Sequence, residues 1–295
     1  MSKLRIMTFN IRTGEAKDGP NAWPMRRDLV FETIKDYRPG LLAIQEPTRE
    51  QWKELGEAFP KMRGVFQCPE DKDWPDSHGE GLFYDTDRFR LIENKSFWLS
   101  KTPNIPGSRL PKNHWGARIV VAAKLFDTDE ERKLVFACTH FDTHPGSWLP
   151  SAKIAAANLR LLAGELPVIL SGDFNCSAGS DPWLFLTRRS GFKDAWMESG
   201  HRDEGVITCH EFTGLPRLDF DRMDDVNAWL KERYEKVPEF SHYRDHILSH
   251  RNMRIDWILF RGLLRATDSI VDMRQKDGRC ASDHYAVVST LQWQT

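Results

Sequence analysis

Val168-Ile169-Leu170-Ser171-Gly172-Asp173-Phe174-Asn175 is the stretch whose reading decides the fold. Its leading apolar run suits a strand buried on both faces, and the run ends in an acid and an amide. Taken alone, Gly172 to Asn175 is an Asx-type turn after a strand. The same event recurs elsewhere: Asn10 follows the apolar run 6–9, Glu46 follows 41–45, His140 follows 134–139, Asp256 lies inside 254–260, and Asp283 and His284 precede 285–291. Singly, Asn10 or Glu46 reads as a turn cap or surface residue, and His140 as a hydrogen-bonded structural histidine. Together they read differently, because buried charges are costly unless paired or metal-bound. Hard oxygen ligands, a carboxylate base and histidines are what metal-assisted phosphoryl chemistry requires.

Outward from this stretch the chain alternates strands and helices. A strand at 4–9 precedes a helix at 25–37, where Leu29, Val30, Ile34 and Tyr37 recur at helical spacing, and Pro39 and Gly40 end it. A buried strand at 41–44 and a helix at 48–59 repeat the unit. Runs at 81–84, 89–99, 117–126 and 133–139 predict antiparallel sheet. Helices are expected at 151–162 and 181–189, the latter with Asp181 as N-cap and Pro182 at the first helical position. Strands at 255–260, 264–271 and 285–291 close the chain. Residues 214–252 are more charged, hold one expected helix at 223–234 framed by Pro216 and Pro238, and read as an insertion on a single main domain. The expectation is an α/β architecture of two packed sheets with helices outside and chemistry at strand ends.

Composition narrows the function. A formal net charge of −1 provides no global field for gripping long nucleic acid; a local basic groove stays open, but the balance argues against a general nuclease and leaves room for a small phosphorylated substrate. Cys68, Cys138, Cys176, Cys209 and Cys280 show no CxxC pair or zinc-finger spacing and read as reduced thiols of a cytoplasmic protein. No run reaches the roughly 20 apolar residues of a membrane span, no signal peptide is read at the start, and no protein partner is implied. The 11 tryptophans read mainly as core and rim aromatics, with some available to line a pocket.

In order along the chain stand Thr8-Phe9-Asn10-Ile11, Gln45-Glu46, Gly79-Glu80-Gly81-Leu82-Phe83-Tyr84, Thr139-His140-Phe141-Asp142, Ser171-Gly172-Asp173-Phe174-Asn175, Arg254-Ile255-Asp256-Trp257-Ile258 and Ser282-Asp283-His284. With these motifs the chain resembles the endonuclease/exonuclease/phosphatase superfamily, and among its members the compact bacterial ones of unassigned substrate. The resemblance implies a four-layer α/β/β/α sandwich and a divalent-metal phosphoesterase. By it, Glu46 is the principal Mg²⁺ or Mn²⁺ ligand, with Asn10 and Asp283 near the ion. Asp173 orients or deprotonates the attacking water, and Asn175 donates its amide to a non-bridging oxygen. His284, oriented by Asp256, binds the scissile phosphate; His140 does likewise from the other side with Glu80 as its partner. Arg118, at the start of an internal strand, is a phosphate contact against the alternative of a solvated sheet arginine.

The expected activity is hydrolysis of a small phosphodiester. A nuclease, a phosphomonoesterase, a catalytically inactive binding module and a metal-independent glycosidase using paired carboxylates are the competing readings. His242 and His246 share helical i, i+4 spacing within 214–252, along with Asp245 and His250; a solvated lid helix is the expectation there rather than a second metal site.

Overall fold

Both faces of β1 (Lys3–Asn10) and β2 (Leu41–Gln45) are apolar, and the layering follows from that. On one face Leu4, Ile6, Leu41 and Ala43 join the core between the sheets. On the other, Met7, Phe9, Leu42 and Ile44 pack with Trp23, Val30, Ile34 and Leu55 of the helices α1 (Trp23–Tyr37) and α2 (Arg49–Ala58). Full burial of each such side chain contributes roughly 1.5–3 kcal/mol. Apolarity on both faces leaves strand register open, and polar ends fix it: Asn10 pairs beside Gln45, and the Thr8 hydroxyl donates to Gln45 Oε1 at 3.2 Å.

The computed structural model describes residues 2–73 and 78–294. After α2 come β3 (Met62–Gln67), β4 (Glu80–Asp85), β5 (Phe89–Trp98), β6 (Ile119–Asp127), β7 (Arg132–His140), α3 (Pro145–Ala163), β8 (Val168–Asp173), α4 (Asp181–Leu184), β9 (Lys193–Asp194) and α5 (Ala195–Glu198). Two longer helices follow, α6 (Met223–Tyr234) and α7 (Phe240–His250), then β10 (Asp256–Arg261), β11 (Leu264–Asp272) and β12 (Ala286–Trp293). The strands form two six-stranded sheets, ordered β11-β12-β1-β2-β4-β3 and β5-β6-β7-β8-β10-β9. They stack face to face, with α1 and α2 outside one and α3 outside the other, giving the four-layer α/β/β/α sandwich. All the cysteines are buried and form no disulfide, and no helix among the described residues is long and apolar enough to cross a membrane.

Several expectations need correction. The helix expected from residue 151 begins at Pro145, where His144 is the N-cap and its ring accepts from the Gly146 N–H; Gly146 and Pro150 obscured that first stretch. Ser180, not Asp181, occupies the N-cap of α4, and the helix passes into a π-type turn at Phe185–Arg189. Residues 214–252 hold two helices rather than one, since α7 follows α6. The edge strand β3 was not expected, because its residues are mostly half-exposed or exposed and carry little alternation.

Candidate active site

Strand pairing brings the polar strand ends to one end of the sandwich. β7 and β8 run parallel with His140 opposite Asp173, and β10 pairs antiparallel with β8 so that Asp256 also faces Asp173. In the other sheet Gln45 lies between Asn10 and Glu80. The Asn10 amide spans the two sheets, donating to Glu46 Oε1 at 3.0 Å and to Asp173 Oδ2 at 3.1 Å. Glu46 and Asn175 leave their strands in the left-handed region, at φ 64° and 53°. That conformation is uncommon for side-chain-bearing residues and is held here by contacts: the Thr13 N–H donates to Glu46 Oε2 at 3.1 Å, and the Asn175 N–H to Asp173 Oδ1 at 2.9 Å. Gly172 is required by close approach, since a Cβ there would lie 1.9 Å from the Thr139 carbonyl oxygen.

Glu46, Arg118, His140, Asp173, Asn175, Asp283 and His284 line a cavity of about 470 Å³. Asn10, Glu80 and Asp256 are buried against these lining residues. The structure separates the two histidines. His284 Nδ1 lies 2.9 Å from Asp256 Oδ2, and although burial opposes the charge, Cys209, Asp256 and Asp173 hold His284 well above the ordinary histidine range. His140 is pushed well down by burial and by Arg118. Its expected partner Glu80 stands 3.7 Å away, and burial holds that carboxyl well above the usual carboxylate range. The surroundings therefore favour charge on His284 and disfavour it on His140. Burial and the neighbouring Asp256 push Asp173 up to about 7. The Asn175 amide, expected to face the substrate, donates to the Phe141 carbonyl at 2.8 Å and lies 3.0 Å from His140 Nε2, so a substrate oxygen has to displace the His140 contact to reach it.

Arg118 is only 7% exposed, and its Nε has no hydrogen-bond partner among the described residues. The guanidinium sits 3.6 Å from Asp142, whose carboxylate also accepts the backbone N–H groups of His114, Trp115 and His144. A buried N–H of a guanidinium left without an acceptor costs free energy unless an anion completes it. Burial works against ionisation of Glu46, yet His140, His78 and Arg12 together with the Asn10 amide hold it below the usual range. With Asp283 on the same wall, the ionised Glu46 offers the hard oxygen donors that suit Mg²⁺ or Mn²⁺.

Residues not anticipated from the sequence complete the cavity: Arg12, Thr13, His78, Trp115, Thr143, Cys209, Glu211 and, from α6 and α7 and the turn between them, Arg233, Tyr234, Val237 and Tyr243. Arg12 forms a bidentate pair with Asp18 and lies 3.6 Å from Asp283; its position two residues after Asn10 was the available signal. Residues 214–252 thus roof the cavity. Glu239, between α6 and α7, approaches His144 Nε2 at 3.0 Å and His114 Nε2 at 3.8 Å. This trio has ligand-like spacing, but the Gly146 N–H donates to His144 Nδ1 at 2.8 Å. A metal on Nε2 would require a proton on Nδ1, so the group reads as a latch of close polar contacts rather than a metal site. His246 Nε2 is likewise engaged, accepting from the Ser177 N–H at 2.9 Å.

A metal-compatible acidic patch beside a His–Asp pair at the end of a two-sheet sandwich is the layout of a phosphoester hydrolase. Residues 7–284 match the family model described as Endonuclease/Exonuclease/phosphatase family, and the chain belongs to that family, whose members act on phosphate esters and are typically divalent-metal dependent. It resembles the structure of the endonuclease/exonuclease/phosphatase from Bacteroides vulgatus at TM-score 0.79 and 22% identity, covering 100% of both chains. It also resembles the mannosyl-6-phosphatase of Bacteroides thetaiotaomicron VPI-5482 at TM-score 0.79 and 20% identity, covering 98% of this chain and 100% of that one. These likenesses establish the shared fold. A probable RNA exonuclease of Saccharomyces cerevisiae is 24% identical over 209 residues, or 63% of this chain; the chain spans 40% of that relative's length.

Proposed function

We propose that this protein is a divalent-metal-dependent hydrolase of a small phosphate ester. The roofed cavity of about 470 Å³ carries that reading, because α6 and α7 supply its upper wall and leave it shaped for a small molecule rather than for a nucleic-acid duplex. Glu46, with Asp283 and Asn10 close by, would hold Mg²⁺ or Mn²⁺, and the bound ion supplies Lewis-acid stabilisation of phosphoryl charge. Asp173, with its carboxyl near neutrality, accepts the proton of the attacking water. His284, fixed by Asp256, presents Nε2 to the phosphoryl oxygens as a charged donor, and Arg118 adds its guanidinium.

A panel of chromogenic monoesters and diesters, sugar phosphates, RNA, and intact and abasic DNA tests this, with Mg²⁺, with EDTA, and in Asp173→Asn and His284→Ala variants. The expected outcome is turnover of small esters, a diester among them, abolished by EDTA and reduced at least about 100-fold in each variant. Activity untouched by all three perturbations refutes the reading, and a preference for polymers transfers it to a nuclease.

A further inference from the structure

A carboxylate that the proposed chemistry leaves unused stands near His284. Residues 207–211 run antiparallel to 283–285: Cys209 bridges to His284, the Tyr285 N–H donates to the Thr208 carbonyl at 2.7 Å, and the N–H groups of His210 and Glu211 both donate to the Asp283 carbonyl, at 2.8 and 3.0 Å. Glu211 is thereby set next to Asp283 and two residues from the partner of His284, and it lines the cavity. Two residues of chain span at most about 7 Å, so a group that meets Glu211 lies close to the group that His284 holds.

The conformation of Glu211 is imposed by its loop. Glu211 and Phe212 are both left-handed, at φ 52° and 59°, which is uncommon for residues with side chains and persists where the surroundings over-determine it. Thr213 Oγ1 donates to the His210 carbonyl at 2.6 Å, the Gly214 N–H donates to His210 Nδ1 at 3.1 Å, and the His210 ring stacks on Tyr285 with centroids 3.9 Å apart. The Gln275 amide closes the loop by donating to the Gly214 carbonyl at 3.1 Å. Cys209 Sγ donates to Glu211 Oε1 at 3.7 Å and lies 3.5 Å from the Tyr234 hydroxyl at the end of α6. Burial and Asp283 raise the carboxyl above its ordinary range, with His284, Arg12 and Tyr234 opposing that rise.

A carboxylate has about four acceptor positions, and a long contact from a thiol with one from a tyrosine leaves Glu211 able to take more. It repels phosphate oxygens, so the group it receives belongs to the other half of the ester. Arg12, Arg118 and Arg233 line the same cavity and disfavour a further cation there, which leaves a neutral donor. Building on the phosphoesterase reading, we propose that the alcohol half of the substrate is hydroxylated and that Glu211 accepts one of its hydroxyls. Glu211 is on this reading a specificity determinant that selects phosphate esters of polyols over those of plain alcohols. The cost of leaving a half-buried carboxylate short of donors falls on the ester that has no hydroxyl to offer.

Matched esters that differ in hydroxyls and little in size test this: 2-hydroxyethyl phosphate against propyl phosphate, and hexose 6-phosphate against cyclohexylmethyl phosphate. In at least one pair kcat/KM should favour the hydroxylated member by about 10- to 100-fold, the weight of a hydrogen bond to a charged group. Glu211→Gly, whose new residue suits the left-handed backbone, should reduce that preference to within about threefold. Glu211→Gln, which keeps an acceptor without the charge, should retain part of it. No preference in the native enzyme, equal loss for both members of each pair, or faster turnover of 2-aminoethyl phosphate than of its hydroxyl counterpart overturns the proposal. A preference that survives in Glu211→Gly while the Mg²⁺ needed for half-maximal rate rises would assign Glu211 to the ion and overturn it as well. The phosphoesterase reading fails separately: no ester is hydrolysed, yet calorimetry on the Asp173→Asn protein still finds hydroxylated esters bound more tightly, a difference that adding Glu211→Gly removes.

Discussion

Replacing Asp256 with asparagine changes charge with little change in shape. The Asp256 side chain is fully buried and 2.9 Å from His284 Nδ1, and an asparagine oxygen in the same place still accepts that proton. The loss is the counter-charge to the imidazolium. Hydrogen bonds to charged groups contribute about 1.5–3 kcal/mol, so kcat/KM should fall about 10- to 150-fold. A second effect acts on Asp173. Its carboxyl is raised to about 7 by burial and then by Asp256, and the acidic groups of the Asp173, Asp256 and His284 cluster lie within 4.8 Å of each other. At an effective dielectric of about 20, removing one charge at that distance is worth roughly 3.5 kcal/mol, or about 2.5 pH units. A base works when deprotonated, so activity is lost as pH falls through its pKa, and removing a nearby negative charge lowers that pKa. The acid limb of log kcat/KM against pH should therefore move down by about 2 units relative to the wild type. A bound ion acts on both proteins and largely cancels in this difference. An unshifted limb with undiminished kcat/KM, or a limb that moves to higher pH, would refute the assignment of Asp173 as base and Asp256 as the partner of His284.

Arg118→Met should lower kcat/KM at least about 100-fold, with the fold retained because Asp142 keeps the backbone N–H groups of His114, Trp115 and His144; kinetics and calorimetry on the same sample check both. His210 is buried and depressed to about 3 by desolvation, with Nδ1 accepting from the Gly214 N–H. A depressed histidine favours its neutral form in the fold, so its contribution is complete above the unfolded value near 6.5 and is lost as pH falls. Between about pH 6.5 and 4 urea unfolding should reveal a loss of about 3 kcal/mol that His210→Asn removes. Gly172→Ala should destabilise the protein by more than about 3 kcal/mol or prevent its accumulation, since the new Cβ would meet the Thr139 carbonyl; denaturant midpoints give the value. Glu46→Gln should raise the Mg²⁺ concentration needed for half-maximal rate by at least about 10-fold, read by metal titration after EDTA treatment.

The sheets were legible where burial is written locally. In β1 and β2 both faces are apolar and the final polar residue announces the strand end. β3 carries no such signal, because an edge strand with half-exposed residues resembles a loop. Helix α7 was missed because its charged and histidine side chains conceal the buried Tyr243 and Ile247, which earn their burial only against remote parts of the chain. The floor of the site followed from strand ends, since strand pairing converts positions distant in sequence into neighbours. The upper wall did not. Arg233, Tyr234 and Tyr243 become cavity residues only when residues 214–252 fold back over the sandwich, and no spacing near them specifies where that segment comes to rest. The difference between His140 and His284 was equally hidden, because it depends on burial beside Arg118 for the one and on Cys209, Asp256 and Asp173 around the other.

The Asn10 amide bond to Asp173 crosses from one sheet to the other, so each sheet carries part of the candidate site. Behind that bond the sheets meet through close contacts, among them the Gln45 amide on Cys138 Sγ at 3.1 Å. The sandwich is built like a vernier: a slide of one sheet against its neighbour would change the gap between the Glu46 half and the Asp173 half while leaving each half intact. A misplacement of about 1 Å at a reacting centre can cost about 100-fold in rate, which makes catalysis a finer gauge of how the two sheets mesh than any measure of stability. Evolution of small residues such as Ala43 and Ala137 in that interlayer would then tune the enzyme from within, without altering a residue that touches substrate.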